Sequence, residues 1–125
     1  MNDGKIIRTR RDEVRPYVTK DGSIIRELMH PDFFLHLKQS LAEATVSAGG
    51  ATLLHKHIRS DEIYHIIEGD GRMYLDSEEF DVNDGDTIHI SCGTYHKIRN
   101  TGAIPLRILC FCCPPYSHAD TEVIE

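Results

Sequence analysis

The sequence predicts an all-β domain, folded as a sandwich or a barrel. Eight short apolar segments alternate with turn signals of Gly, Pro, Asn, Asp and Ser. At most one short helix is expected, over residues 33–39, where the preceding Pro31 suits a helix start. The length of 125 residues is that of about one domain.

The predicted strands follow one another with short connections. They cover residues 23–28, 44–46, 51–57, 62–68, 72–75, 87–90, 97–99 and 106–112. The turn signals lie at 31–32, 49–50, 60–61, 69–71, 83–86, 91–93 and 100–102. Residues 1–30 are expected to supply the N-terminal strands. The tail, residues 114–125, begins with two prolines, so it cannot continue the last strand normally. We expect it to pack over the barrel or over a partner subunit.

Composition and charge exclude several function classes. The net charge of −6 and the pI of 5.7 disfavour a protein that follows a nucleic-acid backbone. Arginines cluster near the start, but acidic residues interrupt them, so a solvated face or ion pairs are expected there. No apolar run approaches the roughly 20 residues of a membrane helix. The first residues contain no apolar signal region, which predicts a cytoplasmic protein.

The four cysteines are Cys92, Cys110, Cys112 and Cys113, and none forms a CxxC pair. This argues against a zinc ribbon. Small buried thiols in a reducing compartment are the default expectation. A redox sensor or a second metal site is the alternative interpretation.

The chemistry lies in the histidines. His55 and His57 are two apart on a predicted strand, so both imidazoles point to the same face, together with Ala51 and Leu53. Residues 58–61 read as a turn, after which Glu62 opens the next strand opposite the two histidines.

His96 follows a second turn and begins another strand. Three imidazoles and one carboxylate suit a divalent transition metal: Fe, Mn, Ni or Zn. An oxygen cage for Ca or Mg is not expected, because no Asp-rich cluster is present.

Two spacings carry a family resemblance. Gly49, His55, His57, Glu62 and Gly69 stand at the intervals of the first cupin motif. Gly85, Gly93, His96 and Asn100 stand at those of the second, with Ser91 in place of its usual proline. The chain thus resembles a small single-domain cupin, with core motifs at residues 49–69 and 85–100 of a domain spanning 1–125.

The resemblance implies a double-stranded β-helix, which is a jelly-roll barrel. It implies that His55, His57, Glu62 and His96 hold one divalent metal ion per chain near a mouth of the barrel. It makes the glycines turn residues with positive φ and Asn100 a structural residue. It also implies a homodimer, which an open barrel edge would favour.

Other residues have a functional and a structural interpretation. Tyr64 should follow Glu62 into the barrel, where it either bonds a substrate or fills space; His65 should point away. Arg26 could bind a substrate carboxylate, pair with a nearby acid or lie at a subunit contact. Segment 113–118 either places Tyr116 or His118 near the metal or staples the barrel.

Three functions follow as hypotheses. The first is a metal-dependent dioxygenase, isomerase or lyase acting on a small oxygen-bearing metabolite, with Glu62 as a ligand and Tyr64 as a candidate catalytic group. The second is a non-catalytic module that binds a sugar or metabolite. The third is a partner-binding structural protein. The fold alone does not choose among them.

Overall fold

The computed structural model describes residues 6–125 and confirms the all-β prediction. Residues 1–5, which include the start of the expected N-terminal strands and the residues that argued against a signal sequence, lie outside the described part. The strands are β1 (Tyr17–Val18), β2 (Ile24–Met29), β3 (Ser40–Val46), β4 (His55–His57), β5 (Asp61–Glu68), β6 (Gly71–Leu75), β7 (Glu78–Val82), β8 (Thr87–Ile90), β9 (His96–Asn100), β10 (Leu106–Cys113) and β11 (Thr121–Val123).

Two antiparallel sheets form the jelly roll. The six-stranded sheet has the order β1-β2-β3-β10-β5-β8, and the five-stranded sheet has the order β11-β4-β9-β6-β7. Strands distant in sequence are neighbours in both sheets, as β3 and β10 are. The tail contributes β11, which pairs with β4. The tail therefore packs on the barrel, which was one of the two expected positions.

The hydrophobic core lies between the inner faces of the two sheets. In β5, Tyr64 and Ile66 are 4% and 0% exposed, and the residues between them face outward. Ile108 of β10 meets Met73 and Ile98 of the other sheet in the same buried cluster. The period of two in burial is the one that the sequence pattern predicted for β5, and β10 shows the same period.

The prediction of a helix over 33–39 was wrong. The chain there makes a single turn, in which the N–H groups of Phe33 and Phe34 both donate to His30 O. His36 has a φ of 74°, which breaks any continuation of the turn. Phe33 and Leu35 are 66% and 78% exposed, so the segment has no buried face that would stabilise a helix. The one helical element in residues 6–125 is a 3₁₀ turn, Arg11–Glu13.

The prediction of a strand from 51 to 57 was right only at its end. Ala51 makes an isolated bridge to Arg99, and Leu53 N–H donates to Asp21 O instead of to a neighbouring strand. As a result, residues 51–54 do not follow the alternation of inward and outward side chains that was predicted for a strand over 51–57. Thr52 faces inward and is buried, whereas Ala51 and Leu53, expected on the histidine face, are exposed.

The motif glycines have the expected positive φ, with values of 78°, 107°, 90° and 81° at Gly49, Gly69, Gly85 and Gly93. At Gly69 space matters as well. A Cβ there would lie 3.1 Å from Leu106 Cα and 3.2 Å from Pro105 O, so only glycine fits without a backbone shift.

Across the described residues, no helix is both long enough and apolar enough to cross a lipid bilayer.

Asn100 ties three chain segments together. Its side-chain nitrogen donates to Val46 O and Ile104 O, and its Oδ1 accepts a hydrogen bond from Gly102 N–H. The residue is 2% exposed, so water cannot replace these partners. The expected role of Asn100 as a structural turn residue agrees with these contacts.

Asn100→Ala should lower the free energy of unfolding by about 2–4 kcal/mol, because it leaves buried backbone groups without partners. Urea unfolding followed by circular dichroism measures the change. Asn83→Ala is the matched control, since Asn83 is exposed. Equal losses in the two variants would show that Asn100 does not hold these segments together.

Candidate metal centre

Three histidines meet between β4 and β9. The register of the five-stranded sheet sets His55 directly opposite His96. His57 lies two residues from His55 on the same inward face, since the residue between them is only half-buried. The three rings are 2%, 4% and 0% exposed. Their ligand atoms lie within 4.8 Å of one another, so together they could hold a metal ion.

Glu62 approaches the histidines from the facing sheet. Its Oε1 is 3.0 Å from His57 Nε2 and 3.4 Å from His96 Nε2. The carboxylate is 5% exposed, and its other oxygen accepts a hydrogen bond from the Cys112 thiol at 3.4 Å. The four residues singled out by motif spacing are therefore one buried cluster.

Hydrogen bonds on the outer side of each ring fix its tautomer. His55 Nδ1 and His96 Nδ1 lie 2.7 Å and 3.0 Å from the carbonyl oxygens of Leu53 and Thr94, which only accept. His57 Nδ1 lies 3.0 Å from Thr121 Oγ1, whose own hydrogen is donated to Ser117 O. Each Nδ1 is thus the N–H donor, and each Nε2 of a neutral ring has a free lone pair.

The inward atoms have an excess of lone pairs. His57 Nε2 and Glu62 Oε1 at 3.0 Å would repel one another unless a proton or a cation lay between them. His96 Nε2 is buried and has no hydrogen-bond partner among the described residues. An ion with open coordination positions would satisfy all of these atoms, so the donor set fits a divalent transition metal.

Charges in the cluster act on one another. Burial, reinforced by nearby His96, lowers the pKa of His55 to about 4, so this ring is neutral at pH 7. Burial also lowers the pKa of His57, but Glu62 outweighs it and the pKa is raised overall. Burial raises the pKa of Glu62, whereas the hydrogen bond with His57 and the proximity of His96 outweigh burial and leave that pKa well below its usual range. The His57–Glu62 contact therefore holds a proton that a metal ion would displace.

The structure adds a second carboxylate that the sequence did not point to. Asp21 Oδ2 lies 3.5 Å from His55 Nε2, and Asp21 is 9% exposed. Its Oδ1 accepts hydrogen bonds from Ser23 N–H and Ser23 Oγ at 2.9 Å and 2.6 Å. Ser23 thus orients the carboxylate with the other oxygen toward the histidines. The only signal in the sequence is an Asp two residues before a Ser at a turn, which is common in loops.

The tail also reaches the site, in agreement with one of its two expected roles. Tyr116 lies edge-on to His57, with ring centroids 5.7 Å apart. Its hydroxyl is 3.0 Å from Thr19 Oγ1 and 2.9 Å from His118 Nδ1. Tyr116 therefore packs against His57, whereas His118 packs against Tyr116 and Tyr17.

A cavity of about 40 Å³ lies inside the barrel beside the histidines. On a scale where one water needs about 10–15 Å³, this is room for about three waters or a compact ligand. Tyr64 lines it as predicted, with its ring 5.9 Å from that of His96. Burial raises the pKa of Tyr64 well above its usual value, so the phenol keeps its proton. Tyr17, Glu27 and Tyr116 separate the cavity from an outer groove of about 400 Å³, which they also line.

Other candidates from the sequence lie away from the cavity. His65 is exposed and bonds to Thr87, and exposed His89 approaches Asp61. Arg26 Nη1 donates to the carbonyls of Val14 and Arg11 instead of binding an acid.

The cysteines divide into two pairs. Cys110 and Cys112 are buried, as expected, and their side chains line the cavity. The same expectation was wrong for Cys92 and Cys113, which are exposed because Cys92 lies in a turn and Cys113 on the outer face of β10.

Comparison with known proteins gives consistent results. The family model described as "Cupin domain" matches residues 42–112. An uncharacterized protein of Methanocaldococcus jannaschii is 60% identical over 121 residues, which is 97% of each chain. The oxalate-binding protein of Thermotoga maritima is 33% identical over 76 residues, 60% of this chain and 63% of that protein. The crystal structure of a predicted oxalate decarboxylase from Thermotoga maritima superposes with a TM-score of 0.76 at 25% identity, covering 87% of this chain and 99% of that one.

Thr121→Val should weaken metal binding about 10- to 100-fold, because His57 loses the partner that fixes its tautomer. Competition with a chromophoric chelator measures the affinity. Thr87→Val is the matched control, since it removes an equivalent threonine–histidine bond at exposed His65. An unchanged affinity in Thr121→Val would contradict the role assigned to Thr121.

Proposed function

The chain belongs to the cupin family, and we propose that it binds a divalent transition metal ion and uses it to act on a small oxygen-bearing metabolite. The ligands in this proposal are His55, His57, Glu62 and His96, holding one ion per chain. The observation that carries the proposal is that His57 Nε2 and His96 Nε2 converge on Glu62 Oε1, with His55 in the same three-histidine group and each Nδ1 bonded on the outer side. A cluster so arranged donates its lone pairs to a metal ion once that ion displaces the proton held between His57 and Glu62.

The donor set narrows the ion to Fe, Mn, Ni or Zn. When bound, such an ion supplies Lewis acidity toward a carbonyl, hydroxyl or enolate oxygen, or, if it is iron, access to oxygen chemistry. Four protein ligands leave one or two coordination positions open for that purpose.

The chain's own residues contribute proton control and exclusion of water. Asp21 presents Oδ2 to the cavity while Ser23 holds Oδ1, so it is a candidate base beside the ion. Tyr64, the catalytic candidate from the sequence, is a protonated donor on the cavity wall. Tyr116 and the small cavity volume limit the water that can reach the site.

We propose an enzyme of the dioxygenase, isomerase or lyase class. The carboxylate of Asp21 beside His55 is a candidate base, and this favours turnover over binding alone. A non-catalytic binding module is the second candidate, because one relative is named an oxalate-binding protein. Substrate-dependent turnover, once a substrate is found, separates the two candidates.

Protein purified without a nickel column should contain close to one transition-metal ion per chain by elemental mass spectrometry. His55→Ala should lose it, because the remaining donors cannot close the site. His65→Ala, an exposed histidine on the same barrel, should retain the full content. Absence of metal in the wild type, even after reconstitution, would refute the proposal, as would full retention by His55→Ala.

We propose further that the chain is one cupin domain that acts in the cytoplasm as a homodimer. Free, exposed Cys92 and Cys113 suit a reducing compartment. Ile24, Ile63 and Phe111 are 40%, 39% and 36% exposed on the outer face of the six-stranded sheet, a pattern that favours a second copy there.

Phe111→Glu should convert the dimer to a monomer, since it places a charge in this apolar face. Sedimentation equilibrium measures the mass, and Leu35→Glu serves as a control with an exposed residue outside the sheet. A monomeric wild type, or a dimer that survives Phe111→Glu, would contradict this interface.

A further inference from the structure

The cavity beside the histidines is acidic. Three carboxylates line it, those of Asp21, Glu27 and Glu62. Among the described residues that line it there is no lysine or arginine. Once a metal ion displaces the proton between His57 and Glu62, a bound anion would find no cationic side chain in this lining.

Two cationic residues precede cavity-lining carboxylates in the sequence, but they make their hydrogen bonds outside the cavity. Lys20, which precedes Asp21, is exposed and donates to the carbonyls of His118 and Thr121 at 3.0 Å and 2.7 Å. Arg26, which precedes Glu27, donates to Val14 O at 2.7 Å. Both cations are held by backbone carbonyls, so neither is free to enter the cavity.

Small side chains separate the two ends of the cavity. Across the six-stranded sheet, Glu27 pairs with Ala42, Ala42 with Cys110 and Cys110 with Tyr64. Neighbouring strands are about 4.8 Å apart, so the Cα atoms of Glu27 and Tyr64 lie at most about 14 Å apart across the sheet, and both side chains extend into the space between them. Ala42 and Cys110 leave the space between them open. The cavity thus has a histidine end, beside Tyr64 and Glu62, and an opposite end at Glu27.

Glu27 presents an unused acceptor at that opposite end. Its Oε2 accepts a hydrogen bond from Tyr17 OH at 2.9 Å. Its Oε1 is buried and has no partner among the described residues. A buried acceptor without a partner is costly, so a ligand that donates to it gains affinity. In either protonation state Glu27 contributes no positive charge.

We propose that the cavity selects a compact, uncharged ligand with a carbonyl or hydroxyl oxygen for the histidine end and a hydroxyl group that donates to Glu27 Oε1. This inference rests on the proposed metal site, and it names the substrate class of that site. Small dicarboxylates such as oxalate are disfavoured, because burying a dianion beside three carboxylates leaves its charge unpaired. The specificity differs in this respect from that named for the oxalate-binding relative.

The test uses calorimetric titration of the metal-loaded protein with dihydroxyacetone and with oxalate, two probes of equal size. The reference for each probe is its affinity for the same metal ion free in solution. We expect dihydroxyacetone to bind the loaded protein about tenfold more tightly than the free ion, and oxalate to bind it about tenfold more weakly. Elemental analysis after each titration verifies that the metal is retained.

Glu27→Gln removes the acceptor charge without changing the size of the side chain. It should weaken dihydroxyacetone binding and strengthen oxalate binding, each by about tenfold. Glu78→Gln, at an exposed glutamate on β7, should change neither. Ala42→Leu should fill the cavity and abolish dihydroxyacetone binding while the metal stays bound.

A loaded protein that binds oxalate more tightly than the free ion does would overturn the inference. Equal affinities in wild type and Glu27→Gln would overturn it as well. Both results leave the metal site intact, so they are distinct from failure of the proposed function. A protein that retains no metal would refute the proposed function, and this inference with it.

Discussion

The pairing of β4 with β9 is the constraint on which the site depends. It sets His55 opposite His96, and the period of two places His57 on the same inner face. A slip of one residue in this register would turn the imidazoles of β4 away from the cavity. The irregular segment 51–54 before β4 and the turn 91–95 before β9 supply the two carbonyls that hold the rings. Strand pairing and ring orientation are therefore one structural unit.

The polar interior is tolerated because the surrounding apolar core is close-packed. Ile66, Met73 and Ile98 are fully buried around the barrel axis. The three carboxylates that line the cavity are each held by at least one donor: Glu62 by His57, Asp21 by Ser23 and Glu27 by Tyr17. The apolar core supplies stability, and these paired polar groups supply the binding atoms.

Alternation and a short turn, which are local properties, predicted that His55, His57 and Glu62 lie close together. The placement of His96 beside them came from the resemblance to the family motifs, because it depends on the pairing of β9 with β4. The inward Tyr64 was predicted by the same alternation, and the turn glycines by the same motifs. Glu27 and Thr121 were not predicted, since they reach the site through pairing with strands distant in sequence. Asp21 was not predicted either, because its loop is held against residue 53 by a hydrogen bond from Leu53 N–H to Asp21 O. That same bond replaces the predicted strand at 51–54. The helix at 33–39 failed because its apolar residues have no buried face to pack against.

The hydrogen-bond acceptors of the three Nδ1 atoms differ in how easily a substitution can remove them. His55 and His96 donate to main-chain carbonyls at Leu53 and Thr94, which every amino acid provides. His57 donates to the hydroxyl of Thr121, which few amino acids provide. Sequence drift at positions 53 and 94 therefore leaves two rings correctly oriented, whereas the third depends on a single codon near the end of the chain. The orientation of His57 is therefore open to change by substitution at residue 121, in a way that the orientations of His55 and His96 are not.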